Sequence, residues 1–259
     1  MTTPMISPRR RTTVPSPRSD WAYFVDLDGT LLELATVPSD VHIDQDLRTI
    51  VTALAQVAGG AVAVITGRSI AEVDRLFPAL QLAVAGQHGL ERRSANGRTM
   101  QPPESDFALA APRNAMRALV TRHPGLLLED KGLSLALHYR QVPALASYAH
   151  RVMHRWQSEL GAAYCVQRGK RVVELKPAGH DKGAAIRTFM DEAPFRGRRP
   201  VFIGDDVTDE YGFDVINQLG GISVKVGAGR TTAMWMMPDV TAVRRWLSLA
   251  VSAVVPPTP

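Results

Sequence analysis

The chain has 259 residues, 45% of them hydrophobic, with Lys+Arg 30 against Asp+Glu 25, a formal net charge of +5 and a pI near 9.6. This composition fits one large domain or a core with a smaller companion, and it excludes collagenous, low-complexity and fully disordered chains. Arg9, Arg10, Arg11 and Arg18 lie in an acid-free stretch over residues 1–19, which leaves 26 basic against 25 acidic residues elsewhere, so neither nucleic acid nor an anionic membrane is expected as partner.

That stretch, MTTPMISPRRRTTVPSPRS, has no apolar period and is expected to be a disordered basic tail. It lacks the apolar run of a signal peptide, and no segment reaches membrane-spanning length. Cys165 is the only cysteine, so no intrachain disulfide forms and a reducing compartment, the cytoplasm, is expected.

From Trp21, WAYFVDLDGTLL reads as a buried strand ending in an acidic turn, followed by a helix from Asp44 to Val57 that Gly59-Gly60 stops. AVAVITG is a second strand, Ser69 caps a helix to Leu76, and QLAVAGQHG is a third strand. Continuous apolar strands alternating with helices argue a parallel sheet covered on both faces, with its chemistry at the strands' carboxyl ends. The texture changes between about Pro102 and Pro177. A helix over 107–122, two short strands around Lys131-Gly132, a helix over 143–160 and two strands turning at Gly169-Lys170 make an antiparallel α+β unit inserted in the α/β chain. A helix over 181–190, the strand PVFIGDD, a helix over 208–219, the strand ISVKV and a helix over 240–251 resume the first pattern, and VVPPTP is a loose end.

Asp26-Leu27-Asp28-Gly29-Thr30 closes the first strand. Residues i and i+2 of a strand point the same way, so Asp26 and Asp28 emerge together, with Gly29 permitting the turn. Two close carboxylates bind a cation, share a proton or repel, though an acidic turn alone explains the motif as well. Thr66-Gly67-Arg68-Ser69 offers a hydroxyl at a helix start, suited to an anion or simply to a capped turn. Lys182 opposes its helix dipole, so a phosphoryl group or carboxylate cluster competes with plain solvation as its partner. In Gly204-Asp205-Asp206-Val207-Thr208-Asp209-Glu210 the dipole accounts for Asp209 and Glu210 but not for Asp205 and Asp206 on the strand end; such hard oxygens suit Mg²⁺. All four sites converge at strand ends in one crevice that has the parts for phosphoryl transfer.

In order, these sites resemble the four motifs of the haloacid-dehalogenase-like phosphatases. FVDLDGTLLEL, VITGRS, GQHGLERR, LEDKGLSLALHYRQ, VVELKPAGHDKGAAI and VFIGDDVTDEYGF further resemble the bacterial trehalose-6-phosphate phosphatases, from Trp21 to about Leu249. The resemblance implies a Rossmann-like doubly wound α/β core over 20–103 and 177–255, with an α/β cap inserted over 104–176. It implies Asp26 as nucleophile, Asp28 as general acid and then base, and Thr66 and Lys182 on the phosphoryl oxygens. Mg²⁺ would sit on Asp26, the Asp28 backbone carbonyl and Asp205, with Asp206 and Asp209 orienting water or Lys182. Glu129, Lys131 and Glu174 match positions that contact sugar hydroxyls, Arg68 and His88 are expected at the substrate, and His138 and Arg140 are site or hinge neighbours. The implied enzyme is a cytoplasmic monomer that converts trehalose 6-phosphate to trehalose and phosphate, the last step of trehalose biosynthesis, under a closing cap. A relative acting on sucrose phosphate or mannosyl phosphoglycerate would share the core motifs, so the cap residues discriminate. A receiver-like signalling domain would share clustered acids and Mg²⁺ but needs neither this length nor a cap.

Overall fold

The computed structural model describes residues 13–34, 43–78, 80–100 and 106–252. Its strands are β1 (Trp21–Val25), β2 (Val62–Ile65), β3 (Ala83–Gly86), β4 (Glu91–Arg93), β5 (Thr99–Met100), β6 (Leu127–Asp130), β7 (Leu135–His138), β8 (Tyr164–Gly169), β9 (Val172–Pro177), β10 (Arg199–Gly204), β11 (Ile222–Val226) and β12 (Trp235–Met237). The helices are α1 (Gln45–Val57), α2 (Ile70–Leu76), α3 (Asp106–Arg122), α4 (Ala146–Leu160), α5 (Lys182–Met190), α6 (Glu210–Gln218) and α7 (Val240–Ser252).

The larger sheet has the order β12-β11-β10-β1-β2-β3-β4-β5 and is parallel from β12 through β3. Chain order reverses between β1 and β10, a switch point that opens a crevice at their carboxyl ends. β1 and β2 are buried along their whole length because α1 with α7 and α5 with α6 supply apolar cover, as their continuous hydrophobic runs require. Asp44 caps α1 by accepting from the Leu47 amide at 2.8 Å, which turns Leu47, Val51 and Leu54 into the core.

The smaller sheet, β6-β7-β9-β8, is antiparallel throughout. It carries its own apolar cluster, in which Leu135, Leu137, Val173 and Leu175 meet Leu109, Met116 and Met153 of α3 and α4. Residues at the carboxyl ends of the larger sheet and residues of the smaller sheet line the same cleft.

Three strands were not expected. β4 reads Glu-Arg-Arg, yet it is buried as an antiparallel partner of β3, because Arg93 forks Asp74 at 2.7 and 2.9 Å and Arg92 forks Glu192 at 2.8 Å. β5 and β12 are edge strands of two and three residues. The expected strand over 81–89 stops at Gly86, where Gln87 and His88 take left-handed backbone with φ 46° and 56°.

The basic tail corrects an expectation in part. From Thr13 the chain is placed: Val14 packs on the core, Trp246 Nε1 donates to the Pro15 carbonyl at 3.0 Å, and Tyr23 Oη donates to the Arg18 carbonyl at 2.6 Å. Pro15 and Pro17 leave little backbone entropy to lose, so these few contacts suffice. Residues 1–12, with Arg9 to Arg11, and the terminal VVPPTP lie outside the described residues.

Candidate active site

The Asp26 amide donates to the Ile203 carbonyl of β10 at 3.0 Å, which sets Asp26 at the switch point with 4% exposure. Lys182 Nζ donates to Asp26 Oδ1 at 2.8 Å and to Asp209 Oδ1 at 2.6 Å. The lysine that opposes its own helix dipole therefore finds carboxylates as partners. Burial pushes the Asp26 carboxyl well up, Lys182 opposes the shift, and Asp209 and Asp205 add to it. Burial works against the Lys182 ammonium, but Asp209 and Asp26 override it and hold the group charged. The second Asp209 oxygen accepts from the Asp206 amide at 2.8 Å.

Asp205 lies against Gly29, where a Cβ would come within 2.3 Å of the carboxylate; the φ of +85° there also demands glycine. Burial, with Asp209 and Asp206 close by, pushes the Asp205 carboxyl up to about 6. Its Oδ1 is buried with no hydrogen-bond partner. Asp26, Asp205 and Asp209 bring carboxylate oxygens within 4.8 Å of one another. An orphaned oxygen among crowded carboxylates fits a hard divalent cation, which would relieve their repulsion. Asp209 already serves Lys182 and the Asp206 amide, so Asp26 and Asp205 are the better placed donors.

Thr66 is buried, with Oγ1 accepting from the Arg68 amide at 3.2 Å. The Arg68 guanidinium forks Asp28, with Nε to Oδ2 and Nη2 to Oδ1 both at 2.7 Å.

The smaller sheet completes the crevice. Lys131, after β6, donates to the Gly67 carbonyl at 2.9 Å and stands 3.8 Å from Glu174 and 4.0 Å from Glu129. Glu174, on β9, accepts from Ser134 Oγ at 2.5 Å and meets His88 Nε2 at 3.2 Å. Burial would raise the Glu174 carboxyl, but Lys131 first, then His88 and Ser134, hold it well below the usual carboxylate range, while burial lowers the basicity of His88 itself. Burial also acts against Lys131, but Glu174 and Glu129 outweigh it and raise that ammonium. Glu129 pairs with His138 Nε2 at 2.7 Å, which holds its carboxyl low against the effect of burial.

Asp26, Asp28, Thr66, Arg68, His88, Glu129, Lys131, Lys182, Asp205 and Asp206 all line one cleft, together with His138 and Arg140. Glu174 and Asp209 do not line it; they stand behind the wall, one holding Lys131 and His88, the other Lys182. Sequence reasoning missed Lys225, whose Nζ donates to the Asp205 carbonyl from inside an apolar strand, and the fully buried Ser134. A lone lysine in ISVKV is itself the signal, since a buried ammonium needs an acceptor. It also missed Lys170, in the β8–β9 turn and 3.8 Å from Asp205.

A family model described as Trehalose-phosphatase matches residues 24–237. The chain is similar to the trehalose-6-phosphate phosphatase of Escherichia coli, 42% identical over 93% of this chain and 91% of that one. It is also 38% identical to the probable trehalose-phosphate phosphatase of Sinorhizobium fredii, over 87% and 85% of the two chains. The crystal structure of a trehalose-6-phosphate phosphatase related protein superposes with a TM-score of 0.76 at 27% identity, covering 89% of this chain and 97% of that one.

Proposed function

The chain belongs to the trehalose-phosphatase family, and from that premise we propose that it hydrolyses trehalose 6-phosphate to trehalose and phosphate through a phosphorylated Asp26. The observation that carries the reading is a buried carboxylate, Asp26, ion-paired with Lys182 beneath residues of a second sheet that are rich in hydroxyl-binding groups.

Asp26 Oδ attacks phosphorus and the bond to the sugar oxygen breaks, with Asp28 donating a proton to that oxygen. Water then bonds to phosphorus, gives its proton to Asp28, and the bond to Asp26 breaks to release phosphate. Lys182 offsets the charge of Asp26, and with Thr66 it holds phosphoryl oxygens. Mg²⁺, held by Asp26, Asp205 and the Asp28 carbonyl, would neutralise the phosphate dianion facing a carboxylate nucleophile. Asp206 and Asp209 orient water and Lys182.

Glu129, Lys131 and His88 meet the sugar hydroxyls, and Glu174 fixes Lys131 and His88 in place. Paired carboxylate and ammonium groups buried on closure discriminate hydroxyl patterns strongly. The smaller unit, 104–176, acts as a cap over the core, 20–103 and 177–255, and excludes water when Lys131 reaches Gly67. A reducing compartment, the cytoplasm, and a monomeric state complete the reading. Among the described residues, no helix is long and apolar enough to cross a membrane.

Phosphate release from a panel of sugar phosphates, with Mg²⁺ and with chelator, tests it. Equal turnover of glucose 6-phosphate or sucrose phosphate sinks the substrate, and full activity in chelator sinks the metal. Asp26→Asn should abolish turnover while the fold persists.

A further inference from the structure

We propose that Ser134 is a positioning residue for sugar recognition: its hydroxyl fixes the Glu174 carboxylate, and through it sets where Lys131 and His88 meet the substrate. This rests on the roles given to Lys131, His88 and Glu174 above.

The two oxygens of Glu174 have different neighbours. Oε1 accepts from Ser134 Oγ at 2.5 Å and lies 3.8 Å from Lys131 Nζ, whereas Oε2 meets His88 Nε2 at 3.2 Å. A carboxylate held by one donor alone can swing about its last bond; a hydroxyl on one oxygen and an imidazole on the other fix its plane. In the register of the smaller sheet Ala136 lies opposite Glu174, and Ser134, two residues before Ala136, shares that face. Ser134 anchors Lys131 as well. The Lys131 amide donates to the Ser134 carbonyl at 3.0 Å, which closes a tight turn through Gly132 at φ +79°. One residue thus holds Lys131 by its main chain and the facing carboxylate by its side chain.

Burial decides what the hydroxyl is for. Ser134 is fully buried and Glu174 is 4% exposed, so water does not take over the bond when the hydroxyl is removed. Oε1 is then free to close the 3.8 Å gap to Lys131 into a direct bond, drawing the ammonium away from the Gly67 carbonyl that it reaches at 2.9 Å. The sugar would meet a lysine already committed to Glu174. Glu174 is paired with Ser134, Lys131 and His88, none of which takes part in the proposed phosphoryl transfer, so a small phosphate ester should be hydrolysed as before.

Full-length Ser134→Ala, Ser134→Thr, Ser134→Val, Lys131→Ala and Glu174→Ala would be assayed with Mg²⁺ on trehalose 6-phosphate and on p-nitrophenyl phosphate, which carries no sugar, with melting curves to report folding. Ser134→Ala should raise KM for trehalose 6-phosphate about 3- to 10-fold, no more than loss of Glu174 does, with kcat/KM for p-nitrophenyl phosphate within about 2-fold of wild type. Thr and Val share a shape and differ in the hydroxyl, so Ser134→Thr should outperform Ser134→Val by about 3-fold or more even where the added methyl strains both. Adding Ser134→Ala to Glu174→Ala should cost less than about 2-fold further, since a residue that acts through Glu174 then has nothing left to position. An unchanged KM in Ser134→Ala, equal losses on both substrates, Ser134→Thr no better than Ser134→Val, or additive losses in the double variant would each overturn the proposal. If Lys131→Ala and Glu174→Ala both keep the wild-type KM for trehalose 6-phosphate, the sugar-reading role of the smaller sheet falls, and the proposal with it.

Discussion

Lys182→Met removes the only cation that, among the described residues, is in direct contact with the buried Asp26 and Asp209 carboxylates. At 2.8 and 2.6 Å, each attraction amounts to ~6 kcal/mol at an effective dielectric of about 20. Dehydrating the three groups cancels most of that. The net loss on breaking such a buried network is about 3–5 kcal/mol, because two unpaired carboxylates remain behind. For a chain of this size it corresponds to a fall in Tm of roughly 6–20 °C. Urea unfolding in chelator of the wild type, Lys182→Met, Asp209→Asn and the double variant measures it. The double variant should regain much of the loss, since one of the two stranded charges is gone, while remaining inactive. A double variant as unstable as Lys182→Met, or a single-variant loss below about 1 kcal/mol, would refute an electrostatic origin.

The protein in chelator should melt lower at pH 7.5 than at pH 5. Neutral Asp205 suits the fold, so its contribution is complete below the ordinary value of 3.8 and is lost as pH rises through about 6, up to ~3 kcal/mol. Scanning fluorimetry should show a smaller drop in Asp205→Asn and recovery of the wild type in Mg²⁺; an undiminished drop in Asp205→Asn refutes the assignment. Gly29→Ala carries about 1–3 kcal/mol of left-handed backbone strain and pushes on Asp205, so half-activation should need ~10- to 100-fold more Mg²⁺. An unchanged Mg²⁺ titration would count against the contact. Glu174→Gln loosens Lys131 and His88, and should raise KM for trehalose 6-phosphate about 10-fold with p-nitrophenyl phosphate turnover nearly unchanged. Equal losses on both substrates would show that Glu174 serves the chemistry instead.

The parallel strands and the four phosphoryl-transfer motifs were legible because continuous apolar runs end in groups too polar to bury without a purpose. β4 was not, since its Glu and two arginines read as surface until Asp74 and Glu192, distant in sequence, neutralise them. Lys182 was recognised as lacking a local partner, but its bond to Asp209 depends on how α5 meets the turn before α6. The turn from Thr66 could not show that Arg68 pairs with Asp28, because that partner is a side chain 40 residues away. Thr13 to Ser19 was misjudged for a similar reason: its hold on the core comes from Trp246, near the other end of the chain.

The two apolar clusters share no buried residue. Under the proposed function, bond breaking would rest on one and hydroxyl reading largely on the other, so a change in the smaller core could re-space Glu129 and Lys131 without moving Asp26, Lys182 or Asp205. The fold thereby separates two selective pressures: substrate range can drift, or be engineered, through β6 to β9, while the machinery for a stable phosphate ester stays constant beneath it.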